Sequence, residues 1–303
     1  MSSAIELREL RKSFGGTTVL AGLDLDVAPA GVFALLGPNG AGKTTTVQIL
    51  STLLRPDSGT ARVGGHDVER DPAAVRALIG VTGQFSAVDG LLTGEENLRL
   101  MADLRHLGRH EGARRCAELL ERFDLTGAAG KPLSTYSGGM RRRLDLAMTL
   151  VSRPQIVFLD EPTTGLDPRS RVETWAAVRE LVTTGTTVLL TTQQLEEADQ
   201  LADRIAVLDQ GRIVADGTAA ELKRLVTGGR IHLEFGDEAA FGAAAAVLPD
   251  ATGDAAELAL DVPSDGGFDS LRRVMDRLDA GGVEARSLTI HTPDLDDVFF
   301  ALT

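Results

Sequence analysis

The stretch "GVFALLGPNGAGKTTT", residues 31–46, runs from an apolar segment through a glycine-rich loop into a helical pattern. Its uninterrupted apolar part is typical of a strand that is buried on both faces. Gly37 to Thr44 match the spacing G-x-x-x-x-G-K-[ST], and the glycines let several backbone N–H groups face one point. Because that point is also a helix N-terminus, it attracts an anion. The stretch therefore predicts a phosphate-binding loop after a strand, against the alternative of a chance glycine-rich turn.

The residues of this loop have separate expected roles. Lys43 is expected to place its charge on the β- and γ-phosphates of a nucleotide, and the Thr44 hydroxyl is expected to bind Mg²⁺. The nucleotide-binding residues predicted in and next to the loop are Gly37, Pro38, Asn39, Gly40, Ala41, Gly42, Lys43, Thr44 and Thr45.

Length and composition limit the function further. The chain has 303 residues, enough for one large domain and a small one, and its net charge of −13 argues against nucleic acid as the main partner. The single cysteine, Cys116, excludes a disulfide within the chain, which fits a reducing cytoplasm. The uncharged, alanine-rich run at residues 239–249 is too short to span a membrane. Any membrane role is therefore expected to come through a partner.

Short apolar runs alternate with helical patterns and predict a parallel α/β core. The candidates for buried strands are residues 31–37, 156–162, 186–192 and 204–211. The opening segment alternates between apolar and polar residues, which predicts antiparallel strands joined by a turn at Gly15 and Gly16. Residues from about 93 to 150 predict a helical insertion within this first domain, which is expected to span residues 1–225.

A second, acidic domain is predicted over residues 226–303. Its three strand candidates, residues 230–235, 257–262 and 284–290, are each followed by a helix candidate, which predicts a small α+β domain. In its last helix, Thr292 is the expected N-cap and Pro293 the expected first helical residue.

Two adjacent acids end one of the predicted buried strands, in the run "IVFLDEP". Ligands of an open α/β sheet bind at the carboxyl ends of its strands, and acids there are costly unless a cation or a proton uses them. Asp160 is therefore expected to hold Mg²⁺, and Glu161 to act as the base that polarises an attacking water. The alternative is a helix-capping pair at a strand–helix turn.

The run "YSGGMRRRLDLAMTL", residues 136–150, resembles the signature loop and helix of ATP-binding subunits of ABC transporters. The resemblance covers about residues 4–222 and implies an ATPase core with an antiparallel β subdomain and a helical insertion. In this family the signature of one chain closes on the ATP held by another chain. Ser137, Gly138 and Gly139 are therefore implied nucleotide contacts, and two chains are implied to sandwich two ATP molecules.

Other positions match the same family in order along the chain. Phe14 stands where the family stacks an aromatic ring on adenine, against the alternative of a core phenylalanine. Gln84 stands in the loop whose glutamine reaches Mg²⁺ and the attacking water, and Asp167 in the loop that crosses the dimer. The signature departs from the usual pattern at Tyr136 and Met140, where leucine and glutamine are common.

Gln193 is the second departure, since most of the family has a histidine there. A glutamine amide still donates a hydrogen bond to the γ-phosphate, but it cannot carry a proton in and out. Gln193 is therefore interpreted as a γ-phosphate sensor, which leaves Glu161 as the main candidate for the base. The adjacent Gln194 is an alternative for the same role. A further alternative is that both glutamines are plain loop residues.

Together with the run at residues 86–98 and the ending "PDLDDVFFALT", Gln193 resembles ATPases of daunorubicin-resistance-type multidrug exporters. In that branch the membrane permease is a separate chain, so the resemblance implies a homodimer bound to the cytoplasmic face of the membrane. The last domain is expected to assemble the dimer or dock the permease, or to be an inert appendage.

Two other functions remain open from the sequence. A GTPase or small-molecule kinase would also have a phosphate loop, but no guanine-reading motif is found and the signature loop would be unexplained. A non-transport ABC-type ATPase that acts as a regulator is the alternative within the family.

Three further features receive structural interpretations. The basic run Arg141 to Arg143 is interpreted as a solvated helix face. The five histidines show no metal-ligand spacing, and Cys116 is expected to be a buried structural thiol.

Overall fold

The computed structural model describes residues 3–83, 88–225, 229–264 and 267–302. The chain forms two compact units, Met1–Ala219 and Ala220–Thr303. The domain boundary predicted from the sequence, after Leu225, lies a few residues further along the chain.

Strands and helices alternate along most of the described chain. The strands are β1 Ile5–Phe14, β2 Thr17–Val27, β3 Val32–Leu36, β4 Ser58–Val63, β5 His66–Asp67, β6 Ile79–Thr82, β7 Ile156–Asp160, β8 Thr187–Thr192, β9 Arg204–Asp209, β10 Arg212–Gly217, β11 Arg230–Glu234, β12 Thr252–Asp254, β13 Ala259–Pro263 and β14 Ser287–His291. The helices are α1 Lys43–Leu50, α2 Pro72–Leu78, α3 Gly94–Leu104, α4 Arg109–Arg122, α5 Gly138–Thr149, α6 Pro168–Thr183, α7 Leu195–Leu201, α8 Ala219–Lys223, α9 Glu238–Val247, α10 Phe268–Gly281 and α11 Leu295–Leu302. None of these helices combines the length and the apolar character that a membrane span requires.

A central sheet in the order β10-β9-β3-β8-β7-β6 organises the first unit. The pairs among β9, β3, β8, β7 and β6 are parallel, and only the edge strand β10 is antiparallel. Every residue of β3, β7 and β8 is buried, as the uninterrupted apolar runs predict for strands covered on both faces. The predicted α/β fold is therefore confirmed, and the carboxyl ends of these strands meet at one edge of the sheet.

A second, antiparallel sheet in the order β2-β1-β4-β5 belongs to the same unit. The hairpin of β1 and β2 closes where Phe14 pairs with Thr17, which is the turn predicted at Gly15 and Gly16. Alternate side chains of these strands, including Leu7 and Leu23, are fully buried in one core with residues of β3, α1 and β7. The antiparallel sheet thus supports the loop that follows β3.

The stretch predicted as a helical insertion contains α3, α4 and α5. Helix α3 begins with a capping box, in which Glu96 N–H donates to the Thr93 hydroxyl and Thr93 N–H donates to the Glu96 carboxylate. Tyr136 is buried just before α5, and its hydroxyl donates to the Ala128 carbonyl at 2.8 Å. A Cβ atom at Gly94 would lie 2.2 Å from that hydroxyl. Glycine at position 94 therefore leaves space for Tyr136, which stands where leucine is common in the signature.

The second unit begins within α8 and continues in the order β11-α9-β12-β13-α10-β14-α11, and its antiparallel sheet runs β12-β13-β11-β14. This is the βαββαβ arrangement of ferredoxin-like folds, followed by one more helix. Ile231 and Leu233 of β11 pack in its core with Val274 and Leu278 of α10.

The predicted start of the last helix is wrong. Helix α11 begins at Leu295, and its cap is Asp294 rather than Thr292. Asp297 N–H donates to the Asp294 carboxylate and Asp294 N–H donates to the Asp297 carboxylate, each at 3.0 Å. This reciprocal pair satisfies two N–H groups and so displaces the helix start past Pro293.

Candidate functional site

The phosphate loop joins β3 to α1 at the carboxyl edge of the central sheet. Gly37 N–H donates to the Thr192 carbonyl at the end of β8, at 3.2 Å. A Cβ atom at Gly37 would lie 2.2 Å from the Leu208 carbonyl oxygen of β9, so the loop packs directly on both neighbouring strands. Gly42 has a φ of 111°, in the left-handed region that favours glycine. Packing and backbone geometry therefore require glycine near both ends of the loop.

The Lys43 side chain is enclosed by the loop, and the residue is only 5% exposed. Its ammonium donates to the carbonyls of Gly37 at 2.9 Å and Pro38 at 3.0 Å, and lies 3.8 Å from the Glu161 carboxylate. Burial lowers the pKa of Lys43, while the carboxylates of Glu161 and Asp160 act in the opposite direction. Within the described chain, the ammonium hydrogen-bonds only to neutral carbonyls, and its one carboxylate neighbour within 4 Å lies beyond hydrogen-bond distance, so a phosphate oxygen in contact with it would form a stronger, charge-assisted bond.

Asp160 ends β7 and is 4% exposed. One of its carboxylate oxygens accepts hydrogen bonds from the Thr44 hydroxyl at 3.2 Å and from the Thr191 hydroxyl of β8. The phosphate loop, β7 and β8 therefore place a hydroxyl and a carboxylate side by side. Two hard oxygen donors next to a phosphate site fit Mg²⁺, which binds through a few protein oxygens and the phosphates of its substrate.

Glu161 follows β7 directly and has a φ of 49°, which is rare for a residue with a side chain. Such a conformation costs about 1–3 kcal/mol and concentrates at functional sites. It is held by hydrogen bonds from Glu161 N–H to the Thr191 carbonyl at 3.0 Å, and from the Thr164 hydroxyl to the Glu161 carboxylate at 3.2 Å. The strained turn directs the carboxylate back to the phosphate loop, which a simple capping pair would not require.

A cleft of about 340 Å³ lies over the loop. Its lining residues are Phe14, Val19, Asn39, Gly40, Gly42, Lys43, Thr44, Thr45 and Glu161. Phe14 is 47% exposed at the end of β1, so it is not a core phenylalanine, and the Lys12 ammonium lies 5.4 Å from its ring centre. Three of the predicted loop residues, Gly37, Pro38 and Ala41, are not among the residues that line the cleft. An exposed ring beside a phosphate loop offers a stacking surface for a planar base.

Ser137 and Gly138 are exposed at the N-terminus of α5. The Ser137 hydroxyl oxygen accepts a hydrogen bond from Met140 N–H at 3.1 Å, so it caps its own helix. Gly139 is buried, and a Cβ atom there would lie 2.4 Å from the Ser170 hydroxyl of α6. These signature residues do not line the phosphate cleft of their own chain.

Asp167 is the N-cap of α6. Its carboxylate accepts hydrogen bonds from the Ser170 hydroxyl at 2.7 Å and from Ser170 N–H at 3.0 Å, and these bonds lower the pKa of Asp167. Ser170 thus touches both Asp167 and Gly139, which ties the two predicted dimer-crossing segments together. Like Ser137, Asp167 is exposed and lies outside the phosphate cleft.

The two glutamines after β8 differ in their surroundings. Gln193 is exposed and directly follows Thr192, whose carbonyl accepts from the first residue of the phosphate loop. Gln194 is half-buried at the N-cap of α7, and its side-chain oxygen is buried without a hydrogen-bond partner among the described residues. Neither glutamine is among the described residues that line the phosphate cleft, and Gln193 adjoins the loop only through the backbone of Thr192. The third predicted glutamine, Gln84, lies outside the described residues.

The interpretation of Arg141 to Arg143 as a solvated run is wrong for its last two members: the Arg143 side chain is only 16% exposed and donates to the Phe123 carbonyl at 3.1 Å. Arg141 is exposed, but Arg142 is only 8% exposed on the inner face of α5. Its guanidinium donates to the Pro162 carbonyl at 2.7 Å and to the Asp145 carboxylate at 3.2 Å. A signal for this was present in the sequence, because Asp145 lies three residues on and shares a helix face with Arg142.

A second cavity, of about 710 Å³, lies at the amino ends of β7 and β8. It is lined by Ile156 and Thr187 at the strand starts and by Arg115, Arg122 and Arg153. None of the predicted site residues lines it. Cys116 on α4 is buried as expected, and burial raises the pKa of its thiol.

Three side chains of the second unit also converge, although the histidine spacing did not suggest it. Ligand atoms of His291, Asp294 and Asp297 lie within 4.8 Å of one another. The His291 ring nitrogen pairs with the Asp297 carboxylate at 3.0 Å, and both aspartates cap α11. Helix capping and one ion pair are sufficient to explain this cluster.

Comparison with known proteins gives consistent matches. Residues 20–164 match the family model described as ABC transporter. The daunorubicin resistance ATP-binding protein DrrA3 of Streptomyces coeruleorubidus is 52% identical over 303 residues, which is 99% of this chain and 96% of that protein. The daunorubicin/doxorubicin resistance ATP-binding protein DrrA of Streptomyces peucetius is 49% identical over 310 residues, or 99% of this chain and 92% of that protein. A solved ATP-binding subunit of an ABC transporter superposes with a TM-score of 0.66 at 28% identity, over 74% of this chain and 93% of that chain.

Proposed function

Because the chain belongs to the ABC transporter family of ATPases, we propose that it is the motor subunit of an exporter, and that ATP hydrolysis drives efflux of a drug or antibiotic through a separate membrane subunit. One observation carries the proposal. The phosphate loop and Glu161 line one cleft, and Asp160 is bonded to Thr44 of that loop, in a chain that matches drug-resistance ATP-binding proteins over nearly its whole length. The cleft has the parts needed for phosphoryl transfer to water, which depends mainly on positioning and charge.

ATP binds with its adenine on the exposed ring of Phe14 and its phosphates against the loop N–H groups. Lys43 then exchanges two neutral carbonyl partners for phosphate oxygens, a charge-assisted contact. Thr44 and Asp160, with Gln84, would hold Mg²⁺. When bound, this ion neutralises charge that develops on the phosphates.

Glu161 orients the attacking water and accepts its proton as the water oxygen bonds to the γ-phosphorus. The bond from that phosphorus to the bridging oxygen of the β-phosphate breaks, so ADP and inorganic phosphate are the products. The strained turn at Glu161 serves this step, because it aims the carboxylate at the phosphate end of the cleft. The Gln193 amide donates to the γ-phosphate and so reports its presence without exchanging a proton.

The signature residues act on the nucleotide of a second copy of the chain. Ser137 and Gly138 are exposed at the N-terminus of an α-helix of twelve residues, which favours an anion. Ser137 and Gly138 do not line the phosphate cleft of their own chain. When two chains close, the ATP in each cleft is therefore contacted by the signature residues of the partner chain. Asp167, bonded to Ser170 beside the signature helix, lies at the same seam.

The membrane partner is an integral permease, and the chain is placed on the cytoplasmic face through it. The acidic second unit assists dimer assembly or permease docking. This follows the branch of drug exporters whose ATPase and permease are separate chains.

Transport by a reconstituted pair tests the proposal. We expect inverted vesicles that contain the chain and a candidate permease, taken from a neighbouring reading frame if that frame encodes a membrane protein, to accumulate daunorubicin, used as a fluorescent probe, only when ATP and Mg²⁺ are present. Vesicles with either protein alone are the control. A pair that hydrolyses ATP fully but moves neither daunorubicin nor other antibiotics would contradict the export proposal while leaving the ATPase assignment intact.

Gln193→Ala is expected to lower the rate of ATP hydrolysis strongly, whereas Gln193→His should keep much of it. A hydrogen bond to a charged group is worth about 1.5–3 kcal/mol, which corresponds to a loss of about tenfold to a hundredfold. The measurement is steady-state phosphate release at saturating ATP. Gln194→Ala is the matched control for the neighbouring amide. Wild-type rates for both Gln193 variants would remove this residue from the site.

A further inference from the structure

Helix α5 carries an arginine that the proposed mechanism does not use. Arg142 lies just over one turn after Ser137, on the face of α5 that is packed inside the protein. A guanidinium is always charged and is seldom enclosed unless its donors are well used. Its Nη2 is buried without a hydrogen-bond partner in the described part of the chain, so the contacts of Nε and Nη1 indicate what its burial achieves.

The guanidinium bridges two backbone segments that each adjoin a predicted catalytic residue. Its Nε donates to the Pro162 carbonyl at 2.7 Å, and Pro162 directly follows Glu161. Its Nη1 donates to the Gly83 carbonyl at 3.2 Å, and Gly83 directly precedes Gln84 in the sequence. A planar fork with fixed donor directions holds two acceptors at a set separation, which a flexible ammonium does not.

Nearby carboxylates favour the ionised form of the Arg142 guanidinium, although enclosing a charge in the protein costs free energy. Burial lowers the pKa of Arg142, and the carboxylates of Asp145, Glu197 and Asp160 oppose that effect. Asp145 also receives a hydrogen bond from Nη1 at 3.2 Å, which fixes the side chain on its own helix. A buried pair of this kind is often no more stable than apolar residues of similar volume, so stability alone does not account for it.

The segment after Glu161 is also held from its other side. The Thr163 hydroxyl donates to the Glu197 carboxylate of α7 at 2.7 Å, and the Trp175 ring N–H donates to the same oxygen at 3.2 Å. Glu197 is 1% exposed, and burial raises its pKa. Pro162 and Thr163 are thus clamped between α5 and α7, directly behind the strained turn of Glu161.

We propose that Arg142 is a positioning residue for hydrolysis: by bridging the Pro162 and Gly83 carbonyls it fixes the direction of the Glu161 carboxylate relative to the signature helix. Arg142 and the signature residue Ser137 belong to one rigid helix, so the contact of Ser137 with the partner's ATP sets the position of the clamp behind Glu161. The inference rests on the proposed function, in which Glu161 is the base.

The test compares Arg142→Lys and Arg142→Gln with the neighbouring control Arg141→Gln, in the full-length chain. A misplacement on the scale of 1 Å costs about a hundredfold in rate, so we expect kcat to fall by about tenfold to a hundredfold in Arg142→Gln. The dissociation constant for ATP and the urea midpoint of Arg142→Lys should stay at their wild-type values. Arg142→Lys should nevertheless recover only part of kcat, because lysine keeps the charge but loses the fork.

The double variant Arg142→Gln with Asp145→Asn covers the case in which Arg142→Gln alone fails to fold. It removes both buried charges while keeping side chains that form hydrogen bonds, and its kcat should remain low in a folded protein. Wild-type kcat in a folded Arg142→Lys or double variant would overturn the inference and leave the ATPase assignment standing. Absence of turnover in the wild-type chain would instead contradict the proposed function.

Discussion

Replacement of Glu161 by glutamine is expected to stop ATP turnover and to accumulate a dimer with ATP bound. Glutamine keeps the size of the side chain but cannot accept a proton from water, and a positioned base contributes about 10²–10⁴-fold to rate. Lys43, Thr44 and Asp160 are unchanged, so nucleotide binding should persist. Phosphate release measures turnover, and size-exclusion chromatography with ATP and Mg²⁺ measures association.

Glu95→Gln is the matched control for this variant. Glu95 lies on α3, is exposed, and pairs with the exposed Arg99 on the same helix, a contact of small energetic value. It should therefore turn over ATP at the wild-type rate and remain monomeric under the same conditions. If Glu161→Gln also stays monomeric with ATP and Mg²⁺, the sandwich of two chains is wrong, whereas residual turnover at the wild-type rate would exclude Glu161 as the base.

Replacement of Lys43 by alanine is expected to abolish measurable ATP binding. The ammonium is buried in the loop, where a charge-assisted hydrogen bond to phosphate contributes about 1.5–3 kcal/mol. With contacts to two phosphates the affinity should fall by about a hundredfold or more, since each 1.4 kcal/mol is a factor of ten. Equilibrium titration with a fluorescent ATP analogue measures this loss.

Two companion variants make the Lys43 result interpretable. Lys43→Met keeps the apolar stem and so separates the loss of charge from the cavity that alanine leaves. Lys131→Ala removes an exposed lysine outside the cleft and should bind ATP normally. Tight ATP binding by a folded Lys43→Ala or Lys43→Met protein would count against the role assigned to this ammonium.

Much of the site could be predicted because its chemistry depends on residues that are close in the sequence. The spacing of Gly37, Gly42 and Lys43 specifies a loop, and the apolar run before it specifies a central strand. Asp160 and Glu161 were found by the same logic, since a buried strand that ends in acids points to the edge of the sheet where ligands bind.

Other features could not be predicted because they depend on distant partners. Nothing local in "IGVT" distinguishes β6 from a helix segment, since short apolar runs are ambiguous. Only the pairing of Arg142 with Asp145 had a local signal; its hydrogen bonds to the Pro162 and Gly83 carbonyls join segments 20 and 59 residues apart and left no trace in the sequence. The ferredoxin-like order of the second unit could likewise not be recognised, because it includes β12, a strand of three residues that is too short to show an apolar/polar alternation.

The sequence by itself determined the α/β core, the phosphate loop, the acidic pair and the signature helix, because each is a local pattern of glycines, charges or apolar residues. Only the tertiary structure decided which of these meet. Strand order brings Thr44 to Asp160 and Lys43 to Glu161, while the signature residues stay outside the cleft of their own chain. The physical reason is that hydrogen-bonded register between distant strands sets these distances, and no local propensity encodes it.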